Sequence, residues 1–401
     1  MVHVKKVVKE TPLHSVLEDN DAETQSETLW EKRVSQTEDD MCGPKDQRLS
    51  PDGNVLDRGE KEGEAEDEEN KEEKTRGEER VISDEEYDTD LELGGKEVAY
   101  DPTGQTCYME ACEMLQGTKA LAVPLVTNTS ILKLNLRDNG MEGMGGAAIA
   151  KMLKENCYIT DVDLSNNNLG DSGATAIASM LKENSTLLSL NLSGNHFTDC
   201  SAEDLSSALM TNTKLQHLDL SHNALGGHAG QTLRDSLSEN TGLRSLSLAW
   251  NCIRGRGAVM LANGLEGNIF LRTVDLSFNG FGKEGAIALG QALKENNVLE
   301  ELDVSNNRIP PEGAIHLAMG LKVNKTIKFL NMDMNPIQNA GCYGILKSIQ
   351  ENPHSAMEIL DFPDITVNQD FEDLYTAVKE IFPALTVKHR GRIGTFRKAK
   401  T

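Results

Sequence analysis

From Ile131 onward, leucine and its aliphatic substitutes return in a fixed phase. Leu187, Leu190, Leu192, Asn195 and Phe197 are matched 28 residues later by Leu215, Leu218, Leu220, Asn223 and Leu225. Apolar positions that alternate in this way predict a short strand with one buried face. Six and seven places after each asparagine come small residues, as in Gly145-Gly146, Gly173-Ala174, Gly257-Ala258, Gly285-Ala286 and Gly313-Ala314. They open stretches with apolar residues four apart (Ile177/Leu181, Leu261/Leu265, Leu289/Leu293), which share one helical face. A second asparagine column, Asn156, Asn184, Asn212, Asn240, Asn268, Asn296, Asn324 and Asn352, closes that stretch. Asparagine tolerates the left-handed conformation that ends helices, so this column is expected to adopt it. Every unit therefore reads strand, loop, helix, return.

Such units stack into an open α/β solenoid. Strands stack roughly 4.8 Å apart, whereas helices need about 10 Å. The stack must therefore curve into a horseshoe, with parallel strands on the concave side and helices on the convex side. About eight 28-residue repeats fill 131–352, and eight strands make a concave sheet roughly 35 Å across. The asparagines after the strands (Asn139, Asn167, Asn195, Asn223, Asn251, Asn279, Asn307 and Asn335) stand where the backbone leaves its ladder. A carboxamide donates and accepts, so each can satisfy backbone groups of its own and the adjacent unit. Within TDVDLSNNNLGDSG (160–173), only the middle one of three asparagines keeps the period, so Asn167 is read as a structural rung.

An open stack needs capped ends. Residues 96–130 are apolar but off the pattern and read as an N-terminal cap. After Asn352 the phase lapses, with the next rung falling on Pro363. The stretch QDFEDLYTAVKEIF (369–382) predicts a closing helix and ALTV (384–387) a last strand, so 353–388 is a C-terminal cap. Residues 389–401 form a basic tail, which can fold back on acidic parts of the chain or stay solvated.

Composition changes the picture mainly at the start. The net charge is −24 over 401 residues, and residues 1–97 hold 14 Lys+Arg against 31 Asp+Glu, leaving −7 for the rest. Residues 1–95 lack hydrophobic periodicity and cannot bury enough apolar surface to order themselves, so they read as a disordered acidic leader. Ser83 precedes an acidic run and suits an acidophilic kinase, or the run is simply acidic linker. An acidic chain with few aromatics is unsuited to phosphate backbones, which excludes nucleic acid as an expected partner. Seven cysteines without CxxC spacing argue against a disulfide framework and a zinc cluster. No apolar h-region and no run of 18 apolar residues point away from secretion and membranes. The expectation is a cytoplasmic, monomeric protein.

The LxxLxLxxN unit at a 28-residue period, with a helix in each unit, resembles the leucine-rich repeat superfamily, ribonuclease-inhibitor-like class. That resemblance implies the fold and a presumption of protein binding, but no activity. The motif search agrees. Gly143–Ala148 matches GxGxxA, yet Gly145 and Gly146 occupy the small-residue positions of every unit, and no other catalytic, metal or nucleotide motif occurs. No catalytic residue, metal ligand or cofactor is expected, and the chain is read as not an enzyme.

What remains is the sheet face. Four columns alternate with the buried leucines: Lys133 to Phe329, Asn135 to Asn331, Arg137 to Asp333, and Asp138 to Met334. They hold eight acids (Asp138, Asp161, Asp163, Asp219, Asp275, Glu301, Asp303, Asp333) against Lys133 and Arg137. A concave surface of one sign focuses its field on a partner of the other, so the partner would carry a basic patch. Alternatively, LDLS is only this class's strand wording. Trp250 and Phe278 share a column in adjacent units, with His222 before them and His217, Phe329 and Met334 nearby on the same face. They are read either as interface anchors or as packing. The leading function is a non-enzymatic protein-interaction scaffold. The alternatives are a tropomodulin-like cytoskeletal binder and, more remotely, a GTPase-activating protein of the Ran type. The latter lacks a clear arginine finger, although Arg254, Arg256 and Arg308 are loop-borne.

Overall fold

The computed structural model describes Leu91–Glu92 and residues 117–392, all within one unit, Arg80–Thr401. Ser83, nearly all of the leader, residues 96–116 of the N-terminal cap and the tail beyond Arg392 lie outside the described residues. Among the described residues, eleven strands form one parallel sheet in sequence order. They are β1 (Leu91–Glu92), β2 (Lys133–Asn135), β3 (Asp161–Asp163), β4 (Ser189–Asn191), β5 (His217–Asp219), β6 (Ser245–Ser247), β7 (Thr273–Asp275), β8 (Glu301–Asp303), β9 (Phe329–Asn331), β10 (Ile359–Val367) and β11 (Thr386–Arg392). Nine helices join them among the described residues: α1 (Glu142–Glu155), α2 (Gly170–Glu183), α3 (Ala202–Thr211), α4 (Gly227–Glu239), α5 (Gly255–Gly267), α6 (Gly282–Glu295), α7 (Pro311–Leu321), α8 (Gln338–Glu351) and α9 (Gln369–Ile381). A further helical segment, 117–125, precedes β2.

The core lies between the sheet and the helices. The middle residue of each three-residue strand (Leu134, Val162, Leu190, Leu218, Leu246, Val274, Leu302, Leu330) is buried and the flanking ones are not. The helices answer with the four-spaced residues, such as Ile177/Leu181 and Leu261/Leu265, all nearly inaccessible. The small-residue positions have a steric reason where α4 meets α5. A Cβ on Gly257 would stand 2.3 Å from the carbonyl oxygen of Gly227, so only glycine lets these helices approach.

Both asparagine columns are ladders. Asn167 is fully buried and its Nδ2 donates to the carbonyls of Leu136 (2.8 Å) and Leu164 (3.0 Å), while its Oδ1 accepts from the backbone N–H of Asn139 (3.0 Å). One side chain thus ties a unit to the one before it. The second column corrects the expectation of left-handed caps. Asn156 and Asn184 have φ of −72° and −71° with ψ of 127° and 129°, which is extended backbone. Their side chains explain this. The Nδ2 of Asn184 donates to the Leu153 carbonyl one unit back (2.7 Å), and its Oδ1 accepts from the N–H groups of Thr186 and Leu187. The chain leaves each helix straight toward the next strand, and the carboxamide replaces the hydrogen bonds a turn would have supplied.

The C-terminal end departs from the period in a definable way. Ile359 pairs with Phe329, 30 residues earlier, so the strand arrives two residues late. Pro363 falls inside β10 where its register with β11 shifts, between Phe362 and Thr366. The closing helix is α9, capped by the Asn368 side chain accepting from the Phe371 N–H (3.0 Å). The last strand reaches further than ALTV, taking in Lys388 and then His389 and Arg390 from the segment read as tail. At the other end, β1 places Leu91–Glu92, read as leader, beside β2. No helix among the described residues is long and apolar enough to cross a membrane.

Candidate functional site on the sheet face

The in-register strands set the first two columns. Lys133, Asp161, Ser189, His217, Ser245, Thr273, Glu301 and Phe329 pair neighbour to neighbour, as do Asn135, Asp163, Asn191, Asp219, Ser247, Asp275, Asp303 and Asn331. The second column does local work. The side-chain oxygens of Asp163, Asp219, Asp275 and Asp303 accept from the backbone N–H two residues on, at 2.8–2.9 Å. Those of Asn135, Asn191 and Asn331 do the same at 3.0 Å. The turn needs an oxygen, and a neutral carboxamide supplies it as well as a carboxylate. The charge at four of these positions is surplus to the fold.

That charge has a local consequence. Burial pushes the Asp275 carboxyl above its ordinary 3.8, against the hydrogen bond from Ser277, and the carboxylates of Asp303 and Asp219 raise it further. Asp303 also accepts from the Nδ2 of Asn331 (2.7 Å), and Glu301 from the hydroxyl of Thr273 (3.3 Å). The acids are therefore brought together. His217 stands exposed in β5 beside Ser189 and Ser245, and Phe329 beside Glu301.

The fourth column carries the unusual backbone. Asp138, Asn166, Gly194, His222, Trp250, Phe278, Asn306 and Met334 all have φ between 49° and 66°. Glycine and asparagine accept this left-handed region, but for bulky side chains it is strained. Yet three consecutive units place rings there. His222 and Trp250 stack at 5.3 Å and 13°, and Trp250 and Phe278 at 3.8 Å and 9°. Trp250 remains 49% exposed, and Met334, two units beyond Phe278, 54%.

Several features were not read from the sequence. Immediately before the first column, Arg272 and Lys328 both pair with Glu300, the latter at 2.7 Å. The hydrogen bond from Lys328 holds the Glu300 carboxyl below its ordinary range. In the same column Arg244 lies 5.1 Å over the Phe270 ring. These bases border the face with their charge already engaged. The second column also continues past the repeats into Asp361, which pairs with Lys388 of β11 at 2.7 Å. Next to it Asp364 is raised above 3.8, first by burial and then by its hydrogen bond with Asp333. The delayed register of β10 hid both from the 28-residue count. Cys342 belongs to the core, where burial pushes its thiol up to about 12.

Among the described residues, no group of three or more His, Cys, Asp or Glu side chains is placed to hold a metal ion. The face carries a row of carboxylates beside a half-exposed aromatic stack.

Known proteins agree with the architecture. The family model described as "Leucine Rich repeat" matches residues 127–150, 155–178, 183–206, 211–233, 239–262, 267–290 and 295–318. The chain is 54% identical over 48 residues to Leucine-rich repeat-containing protein 74B of Homo sapiens and 47% over 45 residues to that of Mus musculus. Each match covers 12% of the relative's own length, and 12% and 11% of this chain. Among solved structures, the leucine-rich repeat domain of APL1B is similar at a TM-score of 0.39 and 14% identity, covering 74% of each chain. Leiomodin-1 Actin-Binding Site 2 gives 0.31 and 24%, covering 38% of this chain and 88% of that one. The 28-residue period, the asparagine ladder and the seven matched units make residues 127–318 a leucine-rich repeat solenoid.

Proposed function

We propose that this protein is a non-enzymatic cytoplasmic scaffold whose concave sheet binds a protein partner through a basic patch on that partner. Leucine-rich repeats typically serve protein interaction, and the finer reading rests on one observation. Asp163, Asp219, Asp275 and Asp303 fill a turn role that Asn135, Asn191 and Asn331 fill without charge. A one-signed concave surface raises the local concentration of an oppositely charged partner and speeds its encounter. The eight repeats offer enough exposed strand positions for an interface of standard size, roughly 800 Å² per partner.

The test replaces all four aspartates by asparagine, which keeps the turns. Proximity labelling in cells compares this variant with the wild type once both are shown to melt alike. Loss of a subset of neighbours enriched in basic surfaces is expected. An unchanged neighbour set would overturn the reading and move attention to other surfaces of the chain.

A further inference from the structure

The unit at β6 departs from its neighbours at three positions together. Where the flanking units read LDLSHN (218–223) and VDLSFN (274–279), this one reads LSLAWN (246–251). Ser247 replaces the carboxylate of the second column, Ala249 the serine of the third, and Trp250 enters the fourth. The turn contact weakens accordingly, since the Ala249 N–H reaches the Ser247 hydroxyl only at 3.5 Å. The effect is a gap in the acidic row. Asp219 and Asp275 flank Ser247 from the two neighbouring strands, roughly 10 Å apart at the usual strand spacing. Asp275 still feels the Asp219 carboxylate across it. Beside the gap stands Trp250, held between the rings of His222 and Phe278.

We propose that this slot over β6 docks an arginine side chain from the basic segment of the partner, with Asp219 and Asp275 on either side of the guanidinium and the Trp250 stack beside it. The inference rests on reading the sheet as a face for a basic partner and specifies the group read there. Charge complementarity selects a cation. Three further features select guanidinium over ammonium. The neighbouring wall is the edge of the ring stack, since His222 and Phe278 cover both faces of Trp250, and a weakly hydrated guanidinium meets that apolar edge at lower desolvation cost than an ammonium. The two carboxylates lie on opposite sides, which a fork of five donors spans better than a compact point charge. The floor of Ser247 and Ala249 is small, leaving room for the group. The two other units with column-four rings keep an aspartate in the second column, Asp219 in the His222 unit and Asp275 in the Phe278 unit, so among the described residues a ring beside an uncharged second-column residue occurs only at Trp250.

Protons compete for the same site. A proton on Asp275 removes one of the two flanking charges, so docking weakens as pH falls through that group's raised value. Asp303 and Glu301 from β8, Thr273 and Ser277 from its own unit, and Asp219 from β5 are the charged and polar groups facing it from the adjacent elements.

The experiment uses the full chain with Trp30→Phe, which leaves Trp250 as its single tryptophan. Its fluorescence is followed during titration with a short Gly/Ser peptide bearing two arginines, and with lysine and citrulline counterparts of equal length. The expected result is a change in Trp250 emission on binding, with the arginine peptide preferred over the lysine peptide by about five-fold or more. The citrulline peptide should be inert. Asp219→Asn/Asp275→Asn should abolish the preference while melting within a few degrees of the parent. Trp250→Asn, followed by calorimetry, should do the same, because asparagine suits the left-handed backbone already found at Asn166 and Asn306. Equal affinity for arginine and lysine peptides, or a preference that survives Trp250→Asn, would overturn the slot while leaving a basic partner intact. If none of the peptides perturbs Trp250 up to millimolar concentration, the slot is likewise overturned. The four-aspartate labelling experiment then judges the wider reading separately.

Discussion

Trp250 and Asn251 are neighbours in sequence with opposite fates. Asn251 is buried, and its carboxamide donates to the carbonyls of Leu220 and Leu248 and accepts from the N–H of Leu225. Trp250 is half exposed, holds a left-handed backbone at φ 52°, and touches other rings rather than backbone. The asparagine recurs because every unit leaves the same backbone groups to be satisfied. The tryptophan does not recur because nothing in the unit requires it, and it keeps a conformation that asparagine would adopt more easily. Fixed columns carry stability, and the free columns, where the chain tolerates strain, are where the proposed recognition would lie.

The largest effect should come from breaking the fixed column. Asn167→Ala strands the Leu136 and Leu164 carbonyls and the Asn139 N–H, each at about 1–3 kcal/mol when buried, so a loss of roughly 3 kcal/mol or more is expected by urea denaturation. In a solenoid this can split the transition as well as shift it, because each unit depends on its neighbours. Next comes Gly257→Ala, whose methyl meets the Gly227 backbone. Overpacking of this kind costs about 1–3 kcal/mol, read from the same curves.

The free columns should behave differently. Trp250→Asn relieves strain of about 1–2 kcal/mol while losing stacking of about 0.5–1.5 kcal/mol. Stability should move little, whereas peptide binding is lost. The smallest and most diagnostic change is Asp275→Asn. The native protein holds the Asp275 proton more tightly than the unfolded chain does. Its contribution is thus fully present below the ordinary 3.8 and lost as pH rises through the raised folded value. The asparagine variant should therefore gain stability relative to wild type between pH 4 and 7, by a small amount, and lose affinity for a basic peptide. A stability loss at pH 7 would contradict this assignment of roles.

The repeat made much of this legible in advance. A 28-residue phase of leucine, asparagine and small residues dictated the strands, the helices and the rows in which residues such as Asp219 and Asp275 stand. It misled at the second asparagine column, because helix-ending asparagines usually act through their backbone, whereas Asn184 acts through its side chain on the unit before. It also stopped at Asn352, because a two-residue delay in β10 moved Asp361 and Asp364 off the count. The aromatic stack was half visible. Periodicity put Trp250 and Phe278 in one column, but it cannot report backbone sign, so the strain that sets them apart emerged only from the φ values. The slot at Ser247 needed both, a departure in sequence and the carboxylates on either side in space.

The most direct test of the division between columns is a paired urea denaturation of Asn251→Ala and Trp250→Asn, one residue apart. The account predicts that the first loses roughly 3 kcal/mol while the second stays within about 1.5 kcal/mol of wild type. Equal losses would contradict it, placing Trp250 among the residues that hold the fold and leaving the sheet face without its anchor.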